Sequence, residues 1–231
     1  MSVLAIIAVV VVLALVFGPS LWVKQAMKKH GGDRPDFPGT GGELAEHLVA
    51  HYKIDGVNVE ETKPGQGDHY DPETRTVRLS ADNYHGTSLT AVAVSAHEVG
   101  HAIQHYRQER GLATRQAMVR VAMVTDRIAS VFFIATPFLF VIARTPAAIF
   151  GMVALGIALL GIRVLVHLVT LPVEYDASFN KALPILREGG YLKDEEDLAG
   201  ARTVLRAAAL TYVAGALMSL LDLARWIRII R

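Results

Sequence analysis

SAHEVGHAIQH, residues 95–105, is the stretch on which the reading of the whole chain turns. It sets His97 and His101 four residues apart, with Glu98 directly after the first. On a helix of 3.6 residues per turn, positions 97 and 101 project from one face, one above the other, and 98 lies beside them. Two imidazoles so placed can bind one ion. This is the H-E-x-x-H arrangement, in which the histidines hold zinc and the glutamate, too far round the helix to coordinate well, serves as general base toward water. Zinc lowers the pKa of water to about 7 and polarises a carbonyl, so hydrolysis at neutral pH needs no covalent intermediate. The flanks predict a helix over SLTAVAVSAHEVGHAIQHYRQER, with Thr87 or Ser88 as its cap and Gly111 as its stop. Arg107 and Arg110 fall in its last turn, where the helix dipole favours cations.

Composition narrows the chemistry around this motif. Hydrophobic residues make up 52% of the 231, there is no cysteine, and the mean hydropathy is +0.34. A membrane class is expected. Without cysteine there is no disulfide framework, no Cys-type zinc finger and no thiol nucleophile, which leaves His, Asp and Glu as metal ligands. The 23 basic and 22 acidic residues nearly cancel. No basic run interleaved with aromatics appears, so nucleic acid is not expected as a partner.

Apolar runs divide the chain. VLAIIAVVVVLALVF (3–17) continues through GPSLWV to Lys24 and is long enough to span a bilayer. It lacks the basic n-region and small-residue cleavage site of a signal peptide, so it is read as a membrane helix. Lys24, Lys28 and Lys29 follow it and place the next segment in the cytoplasm. IASVFFIATPFLFVIA (128–143) and PAAIFGMVALGIALLGIRVLVHLV (146–169), separated by Arg144 and Thr145, read as a helical hairpin through the membrane. AAALTYVAGALMSLL (207–221) is weaker; were it to cross, Arg225, Arg228 and Arg231 would lie outside, against the charge rule. It is expected to cross, to pack along the bundle or to lie at the interface. The organisation expected is a transmembrane helix (1–23), a cytoplasmic domain with the H-E-x-x-H helix (24–127), a transmembrane hairpin (128–170), a second cytoplasmic segment (171–202) and a membrane-associated helix (203–231). The fold class is therefore mainly α: an integral-membrane helical bundle with a small cytoplasmic α+β domain.

Zinc held by two histidines needs a further protein ligand. Metzincin spacing would require glycine at 104 and histidine at 107, where the chain has Gln104 and Arg107. His105 lies about 12 Å along the helix axis from His97 and reads as a surface histidine. A glutamate on another helix remains, and LPVEYDAS (171–178) offers Glu174, with Pro172 suited to a helix's first turn. Two expected spans separate this glutamate from the histidine helix, so both lie on one side of the membrane. In GDHYDPETRTVRLS (67–80), the Asp71-Pro72-Glu73-Thr74 turn signal between residues of β type predicts a short hairpin.

Three blocks, HYDPETRTVRLS (69–80), NYHGTSLTAVAVSAHEVGHAIQH (83–105) and LPVEYDAS (171–178), embedded in this order of spans, resemble the YugP-type membrane zinc metallopeptidases, a neutral zinc metallopeptidase family. The resemblance implies a gluzincin-like site with one Zn2+ ion on His97, His101 and Glu174, and Glu98 as base. It implies a zincin-like peptidase anchored in a membrane, expected to be a bacterial cell membrane, with a peptide or protein substrate; Lys24, Lys28 and Lys29 are what turn the site toward the cytoplasm. The chain is more distantly similar to HtpX and CAAX-type membrane proteases, in which an Ala-Asp pair follows the third ligand. Here the run is Glu174-Tyr175-Asp176-Ala177-Ser178. One α-helical turn after Glu174 stands Ser178, while Asp176 is about 200° round, so Asp176 is expected to bond elsewhere and the group orienting a zinc histidine is unassigned. Arg75 to Leu79 reads as an edge strand, either pairing with an extended substrate or purely structural. Tyr84, His85, Tyr175 and Tyr191 are candidate donors to an oxyanion. Two other functions compete with an endopeptidase of membrane or unfolded proteins. A site-2-type intramembrane protease would put the motif inside a span, with Asp222 as a further ligand, but His105, Arg107, Glu109 and Arg110 weigh against a bilayer-buried helix. A metal-stabilised membrane scaffold would have no need of Glu98.

Overall fold

The structure is a computed structural model that describes residues 3–142 and 145–230, apart from the side chains of 3–6, 8, 9, 12, 15, 140 and 220–230. The chain is mainly helical, with one three-stranded sheet. In order come α1 (Val3–Lys29), α2 (Gly41–His51), β1 (Asn58–Glu61), β2 (His69–Asp71), β3 (Thr76–Leu79), α3 (Ala81–Tyr84), α4 (Leu89–Tyr106), α5 (Arg110–Ile142) and α6 (Pro146–Tyr175). A π-helical segment (Asp176–Ala182), α7 (Leu183–Glu188) and α8 (Glu195–Ile230) complete the order. Two compact units form, one from residues 21–113 and 172–211, the other from 1–20, 114–171 and 212–231.

The first unit is built around α4. Every residue from Leu89 to Gln104 is buried, as expected of a helix surrounded on all sides rather than lying on a surface. Its Val92, Val99 and Ile103 share a core with Leu48 of α2, Val77 and Leu79 of β3, Leu186 of α7 and Leu205 of α8. The expected cap is present: Ser88 Oγ accepts from the Ala91 N–H at 3.0 Å. α2 begins in a capping box, in which the Glu43 N–H donates to Thr40 Oγ1 and the Thr40 N–H to Glu43 Oε2.

The end of α4 differs from expectation. It stops at Tyr106, and Gly111 sits in the first turn of α5 instead. Gln108 takes the left-handed conformation at φ 54. Its N–H donates to His105 O, and the Glu109 N–H donates to Gln104 O, both at 2.9 Å. These two bonds are a Schellman closure, so a glutamine occupies the place where glycine is favoured. The sheet also differs. β2 and β3 form the expected antiparallel hairpin, with the Asp71 carboxylate accepting from Glu73 N–H and Thr74 Oγ1 across the turn. But β1 pairs in parallel with the other side of β3, giving the order β1-β3-β2. The strand expected at an edge is central, and Arg75 lies outside it in a left-handed turn at φ 51. No extended peptide can add to β3, because both its sides are already paired.

In the second unit, α5 and α6 pack through Ala129 and Phe132 against Leu159 and Leu160. The ion pair Asp126–Arg163 (3.1 Å) joins them. The stretch 207–221 is the continuation of a single 36-residue helix. Its Gly215 meets the His167 ring, where a Cβ would come within 2.7 Å, and Tyr212 Oη accepts from Arg115 at 2.9 Å. It therefore packs along α6 and α5. Among the described residues, one helical run, Pro146–Glu188, is long and apolar enough to cross a membrane, at a mean hydropathy of 2.4 over its best window. Arg144 and Arg231, and the side chains of Asp222, Arg225 and Arg228, lie outside the described residues.

Gln108→Gly should raise the unfolding free energy of the full chain by up to about 1 kcal/mol, and the β-branched Gln108→Val should lower it by a similar amount. Denaturant titration in detergent micelles followed by circular dichroism measures both. A glycine variant less stable than the parent contradicts the Schellman closure.

Candidate metal centre

His97 and His101 stand on the middle of α4, and Glu174 enters from the last turn of α6. Glu174 Oε2 lies 3.3 Å from His97 Nε2 and 3.2 Å from His101 Nε2. The three ligand atoms all fall within 4.8 Å of one another, a grouping that could hold one metal ion. The imidazoles meet at 77° with ring centroids 4.8 Å apart. All three side chains are buried, and so is Glu98 between them in sequence.

The hydrogen-bond inventory tests whether a cation fits. Gln104 Nε2 donates to Val173 O at 3.0 Å and to an Asp176 carboxylate oxygen at 2.8 Å. Both partners are acceptors only, so the Gln104 amide is oriented and its Oε1 faces His101 Nδ1 at 2.8 Å as an acceptor. His101 Nδ1 therefore carries a proton. Ser178 Oγ, 3.0 Å from His97 Nδ1, donates its own proton to Leu205 O at 3.2 Å and so accepts from that ring. With both Nδ1 atoms committed as donors, neutral rings turn bare Nε2 lone pairs toward a buried carboxylate oxygen. Such a set of donors is completed by a cation, and two imidazoles with one carboxylate suit zinc.

Local backbone features bring these groups together. α6 does not restart at Pro172, as expected, but runs through it and passes directly into the π-helical segment. A single helical rod thus carries Glu174, Asp176 and Ser178 past α4, and π turns of this kind recur at functional sites. Close approach depends on Gly100, inside the H-E-x-x-H motif. A Cβ there would stand 2.9 Å from Ala177 O, so only glycine lets the two backbones meet at this distance. Asp176 bonds away from the histidine rings, to Gln104, Asn180 and Lys181. Burial alone would raise its pKa, but bonds from Lys181, Gln104 and Asn180 outweigh that and hold it at about 2.

The remaining candidates are placed as follows. His105 is half-buried and bonds Tyr70 Oη through Nδ1 at 2.8 Å; burial and then Arg75 lower its pKa. Tyr84 packs its ring on Gly42, His85 pairs with Glu61 at 2.9 Å, Tyr175 lies against Phe179, and Tyr191 meets His47 edge-on. Gln104 and Ser178, which meet the two rings at Nδ1, are the neighbours that motif reading passes over. Gln104 carried one signal, since at i+7 from His97 and i+3 from His101 it shares their helix face.

Residues 5–231 match the family model described as "Putative neutral zinc metallopeptidase". The chain belongs to this family. It is also 35% identical, over 226 residues, to the "Putative membrane protease YugP" of Bacillus subtilis (strain 168), covering 98% of this chain and 96% of that protein. No solved structure matches it.

Gly100→Ala should force α4 away from Ala177 by about half an ångström or more, because its Cβ would stand 2.9 Å from a backbone oxygen, and lower zinc affinity on the order of tenfold, because ligand sites tolerate only about 0.5 Å of displacement. Competition with a chromophoric chelator measures it. An unchanged affinity would show that the Gly100 contact does not set the distance between the ligands.

Proposed function

We propose that the chain is a membrane-embedded zinc endopeptidase acting on membrane or unfolded proteins, with one Zn2+ held by His97, His101 and Glu174. The observation that carries this reading is the convergence of two proton-committed imidazoles and a buried carboxylate beside Glu98, in a member of a zinc peptidase family. Bound zinc supplies the Lewis acidity that activates water and polarises the scissile carbonyl. Glu98, one residue from the first ligand, accepts the proton of the attacking water and passes it to the leaving amine nitrogen. Burial keeps the Glu98 carboxylate away from bulk solvent.

Membrane embedding is supported by the large apolar side chains that α5 and α6 turn outward: Val131, Ile134, Phe138, Ile142 and Phe150 are each 70% exposed or more. Apolar surface on that scale is unfavourable in water and favourable in lipid. The five segments read from the sequence are kept as proposed boundaries, and Lys24, Lys28 and Lys29 support a site that faces the cytoplasm. Against a site-2-type arrangement stands the setting of α4, whose core partners come from the sheet, α2, α7 and α8. A scaffold that merely holds metal is separated from a peptidase by Glu98.

Glu98→Gln keeps the ligands but cannot accept a proton. Zinc content should stay near one per chain while cleavage of casein or of a membrane substrate in detergent falls by on the order of 10² or more. Glu174→Ala removes a ligand, so zinc and activity should fall together. Full cleavage by Glu98→Gln would refute the mechanism, and unchanged zinc affinity in Glu174→Ala would move the third ligand elsewhere.

A further inference from the structure

A polar chain, buried at Gln104 and Lys181, leads away from His101 and is not used by the ligand set or the base. Gln104 is 2% exposed, and each of its polar atoms is engaged: Oε1 with His101 Nδ1, Nε2 with Val173 O and Asp176. Asp176 is in turn bonded by Asn180 Nδ2 at 2.9 Å and by Lys181. Lys181 is 8% exposed and donates to Glu109 Oε2 at 3.0 Å as well. A buried lysine is tolerated only where carboxylates pair with it, and here two do. The chain thus joins α4 to the π-helical segment through Gln104 and ends on the metal-facing histidine.

We propose that Gln104 is a positioning residue that fixes the tautomer and ring orientation of His101, and that Asp176 acts through it by fixing the direction of the Gln104 amide. This rests on the reading of His101 as a zinc ligand. A free glutamine amide is nearly symmetric in shape and can present either oxygen or nitrogen to a ring nitrogen. Turned over, it would offer N–H to His101 Nδ1, the ring proton would move to Nε2, and the lone pair needed for the metal would be lost. Asp176 and Val173 O prevent this, since both accept and neither donates. The carboxylate that orients a zinc histidine in other sites is here one step further out, with an amide between it and the ring. Glu174 and Asp176, two residues apart, divide the labour between the metal and the histidine's support.

The test is zinc affinity of the full chain in detergent, by chelator competition, for Gln104→Leu, Asp176→Asn, the Gln104→Leu/Asp176→Asn pair and the Gln104→Glu/Asp176→Asn pair. Gln104→Leu leaves the His101 Nδ1–H without an acceptor and should weaken zinc binding 10- to 100-fold. Adding Asp176→Asn to it should change affinity by no more than about twofold, because Asp176 acts only through the amide. The Gln104→Glu/Asp176→Asn pair moves the carboxylate one step inward. It keeps an acceptor for the His101 Nδ1–H but gives up the donor to Val173 O, so it should bind zinc at least about fivefold more tightly than the Gln104→Leu/Asp176→Asn pair. A glutamate pair that binds zinc no better than the leucine pair overturns the inference, and should the leucine variants fail to fold, a loss of more than about 100-fold against the parent in the glutamate pair overturns it. Parental affinity in Gln104→Leu, or additive losses at the two positions, overturns it too. Retained zinc in both His97→Ala and His101→Ala would instead remove the metal site itself, an outcome distinct from either.

Discussion

The close passage of two backbones at Gly100 and Ala177 is the constraint on which the site depends. α4 supplies two histidines and a glutamate, but one helix cannot surround an ion. The remaining donor has to come from a second helical rod, and the distance between rods is set where side chains are smallest. With glycine on one side and a 0% exposed alanine on the other, the rod carrying Glu174 approaches closely enough for Oε2 to reach both imidazoles at 3.2 and 3.3 Å. Ser178 and Asp176 reach the same helix because they belong to the same rod.

Much of this is legible in the sequence. The spacing of His97, Glu98 and His101 places them without ambiguity on a helix, Ser88 caps it as expected, and Glu174 stands in the short block that the topology brings back toward it. The failures have identifiable causes. The π-helical segment begins at Asp176, so the α-helical rule of 100° per residue no longer gives the phase of the residues after Glu174. β1 reads Asn-Val-Glu-Glu with three of its four residues exposed, so it carries no alternation that would announce a strand, and its parallel partner is 18 residues away. Gln108 replaces the glycine that a helix stop usually shows. In sequence a buried, fully bonded glutamine such as Gln104 shows only that it shares the helix face of His97 and His101. Only its neighbours' acceptors reveal what it does.

The two compact units obey different solvent logic. The one around α4 gathers its apolar residues into one core against that helix. The one containing the α5–α6 pair exposes isoleucine, valine and phenylalanine along its length. The candidate metal-ligand residues His97, His101 and Glu174 all belong to the first. Helices α1, α5, α6 and α8 each contribute residues to both units.

The central claim is the identity of the donor set, and zinc K-edge X-ray absorption on the zinc-loaded full chain in detergent tests it most directly. The account expects about one zinc per chain with two imidazole ligands at about 2.0–2.1 Å, the rest of the shell being oxygen at about 2.0–2.2 Å and no sulfur. A shell of oxygen alone, or one with a single imidazole or with three, would contradict it.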